Sequence, residues 1–91
     1  MTVQIAGIEF DDVVYDRGAD VLYLSVGEPV PASDFDASPE GHYLRFDDKG
    51  ALVGITIVNA RRIFDREGSI PITLPEHQVE ATDLGHVLAA A

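Results

Sequence analysis

Residues 15–26 read YDRGADVLYLSV, a turn followed by a strand. Gly18 can take a positive φ, and Asp16 and Asp20 carry side chains short enough to accept nearby backbone N–H groups. Beyond the turn the residues alternate: Leu22, Leu24 and Val26 fall on one side, Val21, Tyr23 and Ser25 on the other. A period of two over six residues predicts a half-buried strand. It folds back on FDDVVYD (10–16), where Val13 and Val14 face opposite ways and a bulge is expected. Asp16, Gly18 and Asp20 therefore read as the parts of a hairpin turn, with Asp16 and Asp20 holding it.

Working outward, VQIAGIEF (3–10) predicts a short hairpin that turns at Gly7. On the other side, GEPVPASDFDASPEG (27–41) is rich in Pro, Ser, Asp and Gly and reads as a mobile acidic loop. Loops often carry binding residues, so it is also a place to expect a partner. HYLRFDDKGALVGITIVNA (42–60) predicts a second hairpin turning through Asp47 and Gly50. Its second strand has apolar residues of both parities, Leu52 and Val58 against Val53, Ile55 and Ile57. Such a strand is covered on both faces or lends one face to an oligomer. Gly54 removes a side chain in mid-strand, which permits close packing or a bulge.

The remainder is shorter to read. RRIFDREGS (61–69) looks like a polar connection and IPITLP (70–75) like an edge strand. In TDLGHVLAAA (82–91) a helix is expected, with Thr82 as N-cap, Asp83 in the first turn and Leu84, Val87, Leu88 and Ala91 as its apolar stripe. The fold class is α+β, mostly β: an antiparallel meander of about five strands with one short C-terminal helix. One domain spans residues 1–91, with a core motif region over 8–60, the loop over 27–41 and a C-terminal strand and helix over 69–91.

Composition narrows the function. The chain has 91 residues, enough for one modest core. It contains no cysteine, which excludes disulfides, thiolate metal sites and a cysteine nucleophile, and fits a cytoplasmic setting. The start lacks a basic segment followed by an apolar one, so no secretory signal is expected. Sixteen carboxylates face six Lys and Arg, a net charge of −10. That balance disfavours phosphate backbones and anionic membranes and attracts a basic protein partner. The central residues 42–62 are the exception, with four cations against Asp47 and Asp48.

Two segments together resemble a small bacterial family of domains of unknown function. The first carries Tyr15, Asp16, Ala19, Asp20, Leu22, Tyr23 and Leu24. The second carries Phe46, Asp47, Gly50, Val53, Gly54, Ile55, Ile57 and Ala60. The resemblance covers residues 15–60. Thr56 stands where the family usually has an acid, so no role of that carboxylate carries over. The family brings no established catalytic activity. Some members are encoded beside small RNase-like toxins, which implies an antitoxin role for that subset.

Few residues look chemically equipped. Asp11, Asp12, Asp16 and Asp20 form the densest acid group, without the spacing of a calcium loop. His42, His77 and His86 make no local metal motif; His42 is expected on the side of Leu44 and Phe46, and His86 on the polar side of the last helix. No serine sits in a G-x-S-x-G elbow, and there is no phosphate-binding glycine loop. Arg61 and Arg62 could clamp an anion but more simply answer the chain's own acids. No catalytic residue, metal ligand or cofactor is assigned, and no enzyme activity is expected. Tyr15, Tyr23 and Tyr43, with Ile55 and Ile57, are the candidate interface, and a homodimer is the favoured way to complete the core. The reading is a non-catalytic protein-binding or self-associating module, antitoxin-like in one version. The alternative is a small metal- or ligand-binding protein using clustered Asp and His.

Overall fold

The YDRGADVLYLSV hairpin forms one side of a five-stranded antiparallel sheet. A computed structural model describes residues 2–27, 34–75, 78–82 and 84–90. The elements run β1 Val3–Ile5, β2 Ile8–Phe10, β3 Asp12–Asp16, β4 Val21–Ser25, β5 Asp34–Ala37, β6 Tyr43–Phe46, β7 Leu52–Val58, α1 Ala60–Glu67, β8 Ile70–Thr73, β9 Gln78–Ala81 and α2 Gly85–Ala90. The large sheet has the order β3-β4-β7-β6-β5, while β1-β2 and β8-β9 are separate hairpins. The architecture is mostly β, as expected, but it is not a simple meander, because β4 pairs with β7 and not with the next strand. Among the described residues no helix is long and apolar enough to cross a membrane.

The two-residue loop of the first hairpin, Ala6 and Gly7, has φ of 55° and 77°. Both positions are left-handed, the geometry whose twist matches the flanking strands. The core lies on one side of the large sheet. Leu22, Leu24, Leu44, Ile55 and Ile57 are buried there with Val3, Ile5 and Phe10 of the first hairpin, Ile70 and Ile72 of β8, and Leu84, Val87 and Leu88 around α2. The two small hairpins and the helices therefore roof a single face.

Four expectations need correction. The acidic loop ends in a strand: residues 34–37 are β5, paired to β6, while residues 28–33 lie outside the described residues. The connection 61–69 is largely helix α1. Its sequence does hold a helical stripe, Ala60, Ile63 and Phe64, closed by Gly68 at φ 75° with its N–H donated to the Phe64 carbonyl at 2.7 Å. A further strand, β9, follows the edge strand β8. Helix α2 begins at Gly85, and the Leu84 carbonyl accepts the N–H groups of Val87 and Leu88, so Thr82 stands before the helix and not at its cap. Asp83 and Ala91 lie outside the described residues.

The two-sided strand has a local cause. The ladder between β6 and β7 slips at Arg45/Phe46, so that Gly54 opposes Arg45 while Leu52 opposes Phe46. Val53 is the extra residue, and its carbonyl accepts the Val26 N–H at 3.0 Å. One added residue flips the parity of everything before it. Leu52 thus joins the core side with Ile55 and Ile57, whose side chains are wholly buried within one chain. Ile55 and Ile57 cannot serve as an interface to a second molecule.

Candidate functional site

The carboxylate of Asp20 is the most heavily used polar group of the first motif. Asp20 sits at φ 55°, while Gly18 does not enter the left-handed region. The turn itself is held by Asp16, whose Oδ1 accepts the Ala19 N–H at 3.2 Å. Asp20 turns instead toward α1. Its Oδ1 accepts the Arg61 N–H at 2.8 Å and the Tyr15 hydroxyl at 2.8 Å, and its Oδ2 accepts the Arg62 N–H at 3.2 Å. Its carbonyl accepts the Ala60 N–H at 3.2 Å. The residue before the helix, Asn59, makes no side-chain cap bond. The first-turn amides need acceptors, and Asp20 supplies them from forty residues away. Burial would raise its carboxyl pKa, but the Arg61 N–H, the Tyr15 hydroxyl and the Arg62 N–H outweigh burial and hold it low. Burial and the adjacent Asp20 push the Tyr15 hydroxyl up. Tyr15 is therefore committed inside its own chain. The side chain of Arg61 lies 3.6 Å from Asp65, an exposed pair contributing under about 1 kcal/mol.

A second group joins the β5–β6 turn to the β8–β9 hairpin. Glu40 accepts the Thr73 N–H at 2.9 Å, the Thr73 hydroxyl at 2.6 Å and the Gln78 amide at 3.3 Å. Burial opposes ionisation there, but the Thr73 hydroxyl and N–H, helped by Ser38, bring the Glu40 pKa down to about 2. Beside it, His42 is wholly buried and neither ring nitrogen has a hydrogen-bond partner. Burial lowers its pKa; the Glu40 charge and the neighbouring Pro71 carbonyl oppose that. Ser38, Glu40 and His42 bring together the residue types of a hydrolytic triad. The Ser38 hydroxyl, however, accepts the His42 backbone N–H at 3.1 Å and makes no bond to the ring. A nucleophile and its base must share that bond. The group ties elements together. It was not foreseen from the sequence, where Glu40 lies 33 residues from Thr73 and 38 from Gln78.

The other side of the large sheet is open. Val14, Tyr23, Thr56, Tyr43 and Ala37 form one continuous row across all five strands. The next row is Asp12, Ser25, Gly54, Arg45 and Phe35. Among the described residues the exposed large apolar side chains, Val14 at 55%, Tyr23 at 44%, Phe35 at 67% and Tyr43 at 56%, all lie in these two rows. Arg45 crosses the sheet and donates to the Ser25 hydroxyl at 2.6 Å. A Cβ on Gly54 would collide with its guanidinium, which is what the missing side chain accommodates.

The remaining expected residues are structural. Asp47 Oδ1 accepts the N–H groups of Lys49 and Ala51, both at 2.9 Å, and Gly50 takes φ 81° to close that turn. His86 is exposed, with Nε2 3.1 Å from the Thr2 carbonyl, and His77 lies outside the described residues. Among the described residues no three His, Asp or Glu side chains come together to hold a metal ion.

Comparison with curated proteins and with solved structures gives no match. Residues 12–61 match the family described as Protein of unknown function (DUF2283). The matched span runs from the start of β3 to the first turn of α1, so it includes Asp20, the Ala60 and Arg61 amides it accepts and the open sheet face. It covers more than half of the chain, and the chain belongs to the DUF2283 family.

Proposed function

We propose that the chain is a non-catalytic protein-interaction module that pairs with a second copy of itself through the open sheet face. The observation that carries this reading is the gathering of Val14, Tyr23, Phe35 and Tyr43 on that face while the opposite face is roofed by the chain itself. Val14, Tyr23 and Tyr43 share an uncharged row and Phe35 lies in the next, beside Arg45; Tyr and Phe are side chains that interfaces favour. Five strands about 4.8 Å apart and about five residues long give a plane of roughly 24 by 16 Å. That plane, roughly 400 Å², lies below the about 600 Å² per partner at the lower limit of stable specific interfaces, and it fits a weak, reversible dimer. The neutral centre of the face suits self-pairing, while the −10 charge of each copy opposes it at long range.

The acidic remainder of the surface stays available for a basic protein partner, and an antitoxin-like role is the biological setting that such a partner would give. Light scattering with mass determination tests the self-pairing. The mass is expected to rise from 9.8 kDa toward twice that value with concentration, and to do so more readily at high salt, where the mutual repulsion is screened. The double variant Phe35→Asp/Tyr43→Asp is expected to remain monomeric with an unchanged fold. A mass fixed at the monomer value at high concentration in both salts refutes the reading.

A further inference from the structure

On the roofed side, where the cover of the sheet ends, an apolar groove of about 260 Å³ opens between the first hairpin and β7, floored by Ile8, Phe46, Leu52, Leu74 and Pro75. It adjoins a wider cleft of about 670 Å³, with which it shares Phe46, Gly50 and Pro75. Four carboxylates edge that cleft, Asp34 and Asp36 from β5 and Asp47 and Asp48 from the β6–β7 turn. None of the four has a salt-bridge partner among the described residues. Asp34, Asp36 and Asp47 each place one oxygen on a backbone N–H, which fixes the carboxylate while leaving its charge uncompensated. The apolar floor and the acidic rim are adjacent but separate, so the groove is itself amphipathic.

We propose that this groove docks a basic, amphipathic peptide segment of a protein partner, with an apolar side chain over Phe46 and Leu52 and flanking Lys or Arg side chains against the four carboxylates. Charge complementarity selects this occupant. A second copy of the chain would bring its own −10 charge to the acidic rim, and an anionic or purely apolar segment would leave four desolvated carboxylates unanswered. The apolar groove lies on the roofed side and shares no residue with the open sheet face, and the cleft meets that face only at Phe35.

The test uses the full chain and three synthetic probes: a short Lys/Leu peptide, the same peptide with Leu replaced by Ser, and the same peptide with Lys replaced by Glu. The Lys/Leu peptide is expected to bind and to shift the amide resonances of Gly50, Leu52 and Leu74. The triple variant Asp34→Asn/Asp36→Asn/Asp48→Asn, which leaves the structural Asp47 in place, is expected to weaken binding by about tenfold or more and to flatten its salt dependence. The Leu→Ser peptide is expected to lose most of the affinity, and the Lys→Glu peptide all of it. Equal binding of the Leu→Ser peptide would reduce the effect to a general attraction of cations to an acidic surface and would overturn the proposal. So would no binding of the Lys/Leu peptide, or resonance shifts confined to Tyr23, Thr56 and Tyr43.

Discussion

Replacing Asp20 with alanine is expected to lower the unfolding free energy by about 2–4 kcal/mol, more than the loss of a hairpin turn residue alone would cost. Three donors lose their acceptor at once: the Arg61 and Arg62 amides and the Tyr15 hydroxyl. The helix start has no substitute, because Asn59 makes no side-chain cap bond. The backbone adds to the effect. At φ 55° an L-residue is strained, and Asp and Asn tolerate that region better than Ala does. A series of variants separates the contributions in urea unfolding. Asp20→Asn keeps the conformational tolerance and one acceptor oxygen and is expected to cost about half as much as Asp20→Ala. Asp20→Gly relieves the backbone but leaves the amides open, so it should fall close to Ala if capping dominates. Equal stability of all three variants and the parent would mean that α1 is held by its packed residues Ile63 and Phe64 alone.

The second large effect is acid lability in two stages. His42 is buried without a partner for its ring, and its pKa is lowered. The unfolded chain therefore takes up a proton near pH 6.5 that the folded chain refuses, and stability falls as pH drops below that value. Glu40 acts lower down. Its pKa falls from 4.5 to about 2 on folding, so its contribution is complete above pH 4.5 and is lost as pH falls from 4.5 toward 2. That interval corresponds to about 3 kcal/mol at most, and to about 2 kcal/mol once partial exposure is allowed for. His42→Leu is expected to remove the upper stage and to be neutral or stabilising at pH 7, since it replaces an unsatisfied polar ring by an apolar group. Glu40→Gln is expected to cost about 2 kcal/mol at pH 7 and to flatten the lower stage. Thermal melts across pH 3–8 read both. A melting temperature for His42→Leu that tracks the parent through pH 6 would remove His42 from the account.

The hairpins were legible in the sequence because their period of two and their turn residues are local signals. The core positions Leu22, Leu24 and Leu44 follow from that period, whereas Ile55 and Ile57, expected at an interface, are buried in the core. What escaped were features whose cause lies elsewhere in the chain. The stripe of α1 was present in Ala60, Ile63 and Phe64, but it is short and set among charged residues, and the cap that starts the helix is Asp20. The bulge at Val53 left a trace, the mixed parity of β7, which reads equally well as a strand with two covered faces. Glu40 stood in a stretch whose composition is that of a loop, and His42 at the start of the strand that follows it. The partners of Glu40, Thr73 and Gln78, and the Pro71 carbonyl near His42 belong to a hairpin that only the fold brings near. The tyrosines divide for the same reason: Tyr23 and Tyr43 lie on the open face, whereas Tyr15 lies on the other and is engaged by Asp20.

The outer edge of β5 governs what kind of assembly this sheet can join. The Ser38 N–H points to the His42 carbonyl, so by alternation the amides of Phe35 and Ala37 point away from β6. Each is already taken at 2.9 Å, by the carboxylate of the residue before it, Asp34 or Asp36. The opposite edge strand, β3, is flanked by the exposed Asp12 and Asp16. An added strand would have to break the first arrangement or crowd the second. Stacking on the open face has no such obstacle, and once two faces are stacked neither copy has another to offer. Growth along an edge is opposed, so the self-pairing proposed above would end at a finite, closed pair.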